Sequence, residues 1–243
     1  MKYFYRLFDL AVSIWYRCTF YMSNVLAYMD FFPEIICYFP FHIGIIPDGN
    51  RRFFKTKNIT NKKGYSDMSL QSLFRVIRYL QKCKAKSVSV FVLSESNLNR
   101  SKEEVEIYND LILKMADDKK CSDSYKINIY GDLDLIPIKQ AACLKRMEKK
   151  SLKNDFIVNF MIGYSSISEI KGLKKYEKTT ENLPLDYLIR TGNTHRFSDF
   201  MLNSISRGAC CEFLTCYWPE VNPLVLWAVI IKNKVESLLF TEN

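Results

Sequence analysis

From Phe41 onward the chain alternates short apolar runs with longer amphipathic segments, and this alternation constrains its fold most. His42–Pro47 (HIGIIP), Ser87–Leu93 (SVSVFVL), Lys126–Tyr130 (KINIY), Ile157–Ile162 and Asp186–Arg190 (DYLIR) each predict a strand. Glu212–Cys216 is a candidate sixth. Leu70, Leu73, Phe74, Ile77 and Leu80 keep helical spacing, so Ser66–Lys84 predicts a helix. Ser101-Lys-Glu-Glu104 is a capping box that opens a helix running to about Ala116. Pro137–Lys150 predicts a helix with a basic face, and Ser166-Ile-Ser-Glu169 caps another. Ser198–Ser206 and Pro223–Lys234 also read as helical, and Glu169–Asn182 as a loose loop or a frayed helix. Strands separated by helices predict an α/β fold. It has a single domain over residues 42–243, with a mainly parallel central sheet of about six strands flanked by helices.

A chain of 243 residues with 48% apolar and 25% charged residues can bury a core without disulfide staples, which excludes a disordered chain. The eight cysteines form no C-x-x-C pair, and His42 and His195 are the only histidines. This spacing disfavours a zinc site and reads as free thiols in a reducing compartment. The charge is basic, 35 Lys+Arg against 26 Asp+Glu, and favours anionic partners. Lysines at 82, 84 and 86, and at 145, 149, 150 and 153, read as solvated helix faces. No nucleic-acid motif accompanies them, and no nucleic-acid partner is expected.

Residues 1–41 form an aromatic extension with two apolar runs, Leu10–Tyr16 and Phe20–Met29, broken or flanked by charges. Neither run has the ~20 apolar residues that a spanning helix needs. The segment fits a helix lying on a membrane surface, or one packed on protein. The broken stretch, with no small-residue cleavage site after it, argues against a cleaved signal peptide.

In a parallel sheet, ligands bind beyond the carboxyl ends of the strands. The first predicted strand ends there in Asp48-Gly-Asn-Arg-Arg52. Asp48 can hold Mg²⁺, Gly49 lets backbone approach a ligand, and Arg51 and Arg52 offer planar donors to phosphate. An ordinary Asp-Gly turn beside two surface arginines is the alternative. The fifth strand ends in Arg190-Thr-Gly-Asn-Thr-His-Arg196-Phe-Ser198, where Arg190, Arg196 and a helix-starting Ser198 could bind a second phosphate group. Asn193 suits a left-handed turn. His195 is open to a role as base, phosphate ligand or structural residue. The chain has neither G-x-x-x-x-G-K-S/T nor G-x-G-x-x-G, which argues against an NTPase or a dinucleotide enzyme.

Four segments together resemble the cis-prenyltransferases, most closely the eukaryotic dehydrodolichyl diphosphate synthase catalytic subunit. They are His42-Ile-Gly-Ile-Ile-Pro-Asp-Gly-Asn-Arg-Arg-Phe53, Ser94…Asn97-Leu-Asn-Arg-Ser-Lys-Glu-Glu-Val105, Ile129-Tyr-Gly-Asp-Leu-Asp-Leu-Ile-Pro137, and Leu188-Ile-Arg-Thr-Gly…Arg196-Phe-Ser198-Asp-Phe200 with Trp218-Pro-Glu220. The resemblance implies repeated addition of isopentenyl diphosphate to an allylic diphosphate, usually farnesyl diphosphate. Each addition leaves a cis double bond, and the product is a long-chain polyprenyl diphosphate for dolichol. By the same resemblance Asp48 would hold Mg²⁺, and Gly49, Arg51 and Arg52 would seat the allylic diphosphate. Asn50 would position the isopentenyl unit for proton loss, and Arg190, Arg196 and Ser198 would hold its diphosphate. Asn97, Arg100 and Lys62 join the expected substrate-binding set. The growing chain would lie between the helices at Ser66–Lys84 and Lys102–Ala116.

Departures from the family pattern are Asn61 for an arginine, with Lys62 as a substitute charge, Tyr65 for a histidine, and Ser96 for a glutamate. Asn193-Thr194 replaces a Gly-Glu pair. They keep open an alternative, a weakly active or inactive member that serves as a binding scaffold. The sequence ends Glu236-Ser-Leu-Leu-Phe-Thr-Glu-Asn243 without the family's Arg-x-Gly. The resemblance therefore implies a hetero-oligomer with a Nogo-B-receptor-like subunit that supplies it, held peripherally on the cytosolic face of the endoplasmic reticulum membrane. The apolar run Leu224–Ile231 is a candidate interface or a core helix.

Overall fold

The computed structural model describes residues 41–59, 62–151, 155–173 and 176–240. Expectations for residues 1–40, Asn61 and the Lys62 side chain lie outside the described residues. Six parallel strands form one sheet: β1 (His42–Ile46), β2 (Ser87–Ser94), β3 (Lys126–Tyr130), β4 (Ile157–Tyr164), β5 (Tyr187–Arg190) and β6 (Cys210–Phe213). Their order is β3-β4-β2-β1-β5-β6. β1 and β2 are buried along their whole length, as expected of strands covered on both faces. The sheet lies within the compact unit Ile36–Glu220. Val221–Asn243 belongs to a second unit, whose described part, residues 221–240, holds the helix at Pro223–Phe240.

The helices of the first unit are α1 (Asn50–Thr56), α2 (Lys62–Lys82), α3 (Glu95–Leu98), α4 (Lys102–Asp117), α5 (Lys119–Ser124), α6 (Ile138–Lys150), α7 (Ser166–Ile170) and α8 (Leu202–Ile205). α4 starts at the expected serine, with the Ser101 hydroxyl accepting from the Glu104 amide, but the expected capping box is only half made, because the Glu104 carboxylate accepts from Arg51 and Arg100 instead. α7 is capped one residue earlier than expected, by Ser165, whose hydroxyl accepts from the Ser168 amide. The segment Ser198–Ser206 is not one helix. Only Leu202–Ile205 is helical, because Ser198, Asp199 and Met201 have φ of 48°, 66° and 42°, which no right-handed helix accommodates. β6 lies earlier than Glu212–Cys216, since pairing of Tyr187 with Cys210 and Arg190 with Phe213 sets its register. The Cys216 carbonyl instead accepts from Gly192 N. In the segment after α7, Thr180 is pinned by donating its hydroxyl to Glu169, and Tyr176 by bonding Ser165 and Glu95.

β1 turns toward β2 on one side, while β5, its other neighbour, continues to β6. The chain therefore leaves β1 and β5 in opposite directions, and a crevice opens at their carboxyl ends. A buried polar ladder crosses the sheet below it. Asn128 donates to Asn159 at 3.0 Å, Asn159 donates to Ser89 at 3.0 Å, and Ser89 lies 2.7 Å from His42 Nε2. His42 Nδ1 lies 2.6 Å from the Pro184 carbonyl, which can only accept, so Nδ1 carries the proton and Nε2 accepts from Ser89.

Burial holds the His42 imidazole below its ordinary value of 6.5, against the opposing pull of the Pro184 carbonyl and Asp186. The unfolded chain takes up a proton near 6.5 and the folded chain resists it, so folding stability is full above that pH and falls below it. Urea unfolding should therefore show stability falling between about pH 7.5 and about pH 5.5. In His42→Gln, destabilised at the upper pH, the decline should be shallower. Parallel pH profiles would contradict this account.

Candidate active site

The site grows from the turn after β1. Asp48 N donates to the Thr191 hydroxyl at 2.8 Å, and that hydroxyl donates to the Asp48 carbonyl at 2.6 Å. Trp218 N donates to the same carbonyl at 3.0 Å. Three segments thus meet on one residue. Two glycines let them meet. Gly49 has φ 95°, and a Cβ there would lie 2.6 Å from the Tyr217 ring and 3.2 Å from Gly192 Cα. Gly192 has φ 84°, and its Cβ would lie 2.7 Å from the Arg52 guanidinium and 3.0 Å from Gly49 N. Only glycine suits either position.

α1 begins at Asn50, so Arg51 and Arg52 lie inside its first turn rather than before it. Lys55 follows one turn on, and the sequence reading missed it; its spacing from Arg51 along a helix is the signal that could have found it. Asn50 accepts from the Ser69 hydroxyl at 2.8 Å and donates to the Pro47 carbonyl at 3.3 Å, which fixes its amide.

Across the crevice, Arg190 at the end of β5 is buried, its side chain 4% exposed. It donates to Asp48 Oδ2 at 2.8 Å, to the Ser198 hydroxyl at 2.7 Å and to the Arg196 carbonyl. Its Nε is buried with no hydrogen-bond partner. Ser198 therefore sits on Arg190 from a left-handed position and does not start a helix. Arg52 reaches Asp48 Oδ1 at 3.4 Å and lies over the Tyr217 ring. Burial works to raise the Asp48 pKa. The hydrogen bonds from Arg190 and the Gly49 amide, with the charges of Arg190 and Arg52, outweigh it and hold the carboxyl below its ordinary value.

A third group closes the rim. Glu104 accepts from Arg51 at 2.8 Å and from Arg100 at 3.4 Å, and Arg100 donates to the Tyr108 hydroxyl at 3.0 Å. Asn97 closes the cap of α3 by accepting from Ser94 N and donating its own amide to the Ser94 hydroxyl. Glu95 does not stand in for the expected glutamate. It points to Tyr176 at 3.0 Å and Ser168 at 3.3 Å, while Ser96 lines the site. Tyr65, in the place of a histidine, packs its ring 3.8 Å from that of Phe54.

These residues surround one cavity of about 620 Å³. Asp48, Gly49, Asn50, Arg51, Arg52, Asn97, Arg100, Arg190, Arg196 and Ser198 all line it. The sequence reading thus brought together ten residues that the fold also brings together. It missed Lys55, Ser69, Tyr108, Thr194 and Trp218. Among the described residues, six cationic side chains and one carboxylate, Asp48, face the space. Its inner wall is apolar: Leu73 from α2, Val90, Phe91 and Val92 from β2, and Leu111 from α4. Among the described residues no three His, Cys, Asp or Glu side chains cluster as metal ligands.

A cationic mouth over an apolar wall suits a diphosphate carried on a hydrocarbon chain, and this defines the class of site. Residues 46–237 match the family described as "Putative undecaprenyl diphosphate synthase", and the chain belongs to that family. It is 31% identical to a dehydrodolichyl diphosphate synthase of Encephalitozoon cuniculi, over 81% of this chain and 71% of the relative. It is 28% identical to a dehydrodolichyl diphosphate synthase complex subunit of Schizosaccharomyces pombe, over 82% of this chain and 86% of that one. Its fold matches that of lavandulyl diphosphate synthase from Lavandula x intermedia, solved with dimethylallyl diphosphate. That match has a TM-score of 0.69 at 18% identity and covers 79% of this chain and 94% of the other.

The glycine contacts make a sharp prediction. Gly192→Ala should lower stability by about 1–3 kcal/mol and weaken diphosphate binding, because backbone must move. Gly64→Ala, inside α2 with its nearest atom at 3.8 Å, should be neutral or stabilising by up to about 1 kcal/mol. Thermal unfolding of the pair checks this, and equal effects would refute the crossing as the cause.

Proposed function

We propose that this protein is a cis-prenyltransferase that makes long-chain polyprenyl diphosphate. The observation that carries the reading is the Asp48 carboxylate, set, among the described residues, with six cationic side chains at the mouth of an apolar-walled cavity. The allylic diphosphate, farnesyl diphosphate in this reading, sits on Gly49, Arg51, Arg52 and Lys55, with Arg100 and Asn97 on the facing rim. Its hydrocarbon lies along the wall between α2 and α4. The diphosphate of isopentenyl diphosphate sits on Arg190, Arg196 and Ser198. The allylic C–O bond breaks, the isopentenyl double bond attacks the freed carbon, and a proton leaves the isopentenyl unit. Asn50, its amide fixed by Ser69 and Pro47, orients that unit for the proton loss. Each cycle adds five carbons, whose burial contributes up to ~4 kcal/mol at ~0.8 kcal/mol per carbon.

Asp48 suits Mg²⁺ only in part. It is one carboxylate, 32% exposed, with Oδ2 on Arg190 and, among the described residues, no second acid in the cavity lining. That fits an ion that takes most of its ligands from substrate phosphates and water. Asp48 would hold the ion, which neutralises charge on the departing diphosphate. The scaffold alternative is not favoured, since the cavity keeps both cationic groups and the carboxylate.

The names of relatives as complex subunits support a hetero-oligomer, and in this reading the partner is a Nogo-B-receptor-like chain that contributes Arg-x-Gly. Among the described residues no helix is long and apolar enough to cross a membrane. The apolar product supports a peripheral place on the endoplasmic reticulum membrane, with residues 1–41 as the contact. Radiolabelled isopentenyl diphosphate, farnesyl diphosphate and Mg²⁺ in detergent should give long-chain product when an Arg-x-Gly partner is co-expressed, and product from the chain alone would overturn the hetero-oligomer. Asp48→Ala should lower incorporation by about a hundredfold or more. An Asp48→Ala variant as active as the parent chain would overturn the reading.

A further inference from the structure

The loop from β5 to α8 holds four non-glycine residues in left-handed backbone: Asn193, Ser198, Asp199 and Met201. Such backbone persists only where its surroundings over-determine it. Three holds do so. The Asn193 amide donates to the Leu214 carbonyl at 2.8 Å. The Asp199 carboxylate accepts from the Ser165 hydroxyl and, at 2.6 Å, from the Ile167 amide. The third hold is aromatic. Phe213, the last residue of β6, meets the His195 ring at 5.1 Å, nearly parallel, and the Phe197 ring at 5.9 Å.

These contacts sort the loop by alternation. His195 and Phe197 turn to Phe213, while Arg196 and Ser198 line the cavity. Arg190, which is paired in register with Phe213, bonds the Arg196 carbonyl and the Ser198 hydroxyl. One residue pair across β5 and β6 therefore grips both faces of the loop. The Arg196 side chain has no such hold on its charged end: it is exposed, and its place depends on the backbone that carries it.

We propose that Phe213 is a positioning residue for the isopentenyl diphosphate half of the cavity. Stacked on His195 and packed at a tilt against Phe197, it holds Arg196 and Ser198 toward that diphosphate. His195 serves as a stacking ring and not as a proton acceptor. This deepens the cis-prenyltransferase reading and rests on it.

The test uses the full chain, with its partner co-expressed if activity requires one, and measures kcat and each substrate's KM separately. Phe213→Ala should raise the KM for isopentenyl diphosphate about tenfold, move the KM for farnesyl diphosphate less than about twofold, and leave kcat within about threefold. Phe213→Tyr, which keeps the ring, should restore the KM to within about twofold of the parent. His195→Phe should keep kcat and its pH profile. Should Phe213→Ala fail to fold, Phe213→Leu, which keeps bulk without a stacking face, should show the same one-sided rise. Unchanged KM values in Phe213→Ala, or a parallel rise in both, would overturn the proposal and leave the enzymatic reading standing. A His195→Phe variant that lost kcat and shifted its pH profile would overturn the stacking role. No isopentenyl incorporation by the parent chain under any condition would overturn both readings.

Discussion

The site depends on one ion pair at the crevice between β1 and β5. Arg190 is a guanidinium with a side chain 4% exposed, and burial of an unpaired charge is costly. Its compensation comes from the Asp48 carboxylate, the Ser198 hydroxyl and the Arg196 carbonyl, three acceptors from two loops. Each loop is thereby fixed relative to the other. Arg190 spends only its terminal nitrogens on them, and the buried Nε stays unpartnered beside the cavity. The same pairing, with the Gly49 amide and the Arg52 charge, holds the Asp48 carboxyl below its ordinary value against its burial.

Backbone crossing matters as much as charge. Thr191 bonds both the amide and the carbonyl of Asp48, and the two glycines bring the β1 and β5 loops into van der Waals contact. The carboxylate is held from behind by main chain, and its front faces the cationic rim. Rim pairs such as Arg51–Glu104, with Arg51 64% exposed, contribute little stability. Their effect is to orient guanidinium groups that a bound diphosphate can recruit.

Much of this was legible in the sequence because it is written in local pattern. The β3 bounds matched, and the α4 cap fell on the expected serine, because apolar runs and capping are short-range signals. The ten cavity residues were legible because two motifs close strands that the topology makes neighbours. The segment Ser198–Ser206 was not. Its residues suit a helix locally, but Arg190 and α7 pull Ser198 and Asp199 into left-handed backbone. β6 was misplaced because its register is set by β5, a partner more than 20 residues away in sequence. α3 and α5 are too short for periodicity to report. Lys55 shows only once α1 is known to start at Asn50.

The two loops solve opposite problems. After β1 the difficulty is space, and Gly49 answers it by removing the Cβ that would strike Tyr217. In the loop after β5 the difficulty is aim. Glycine at 198 or 199 would relieve the left-handed backbone, which costs on the order of 1–3 kcal/mol per residue. It would also delete the hydroxyl on Arg190 and the carboxylate on α7. Each lost bond to a charged partner is worth about 1.5–3 kcal/mol, so the strained side chain stabilises the loop as much as the strain destabilises it. A rigid loop results where a relaxed one would leave the position of Arg196 unset. Strain here is the consequence of demanding that alternate residues face opposite ways, toward an aromatic edge and toward a phosphate.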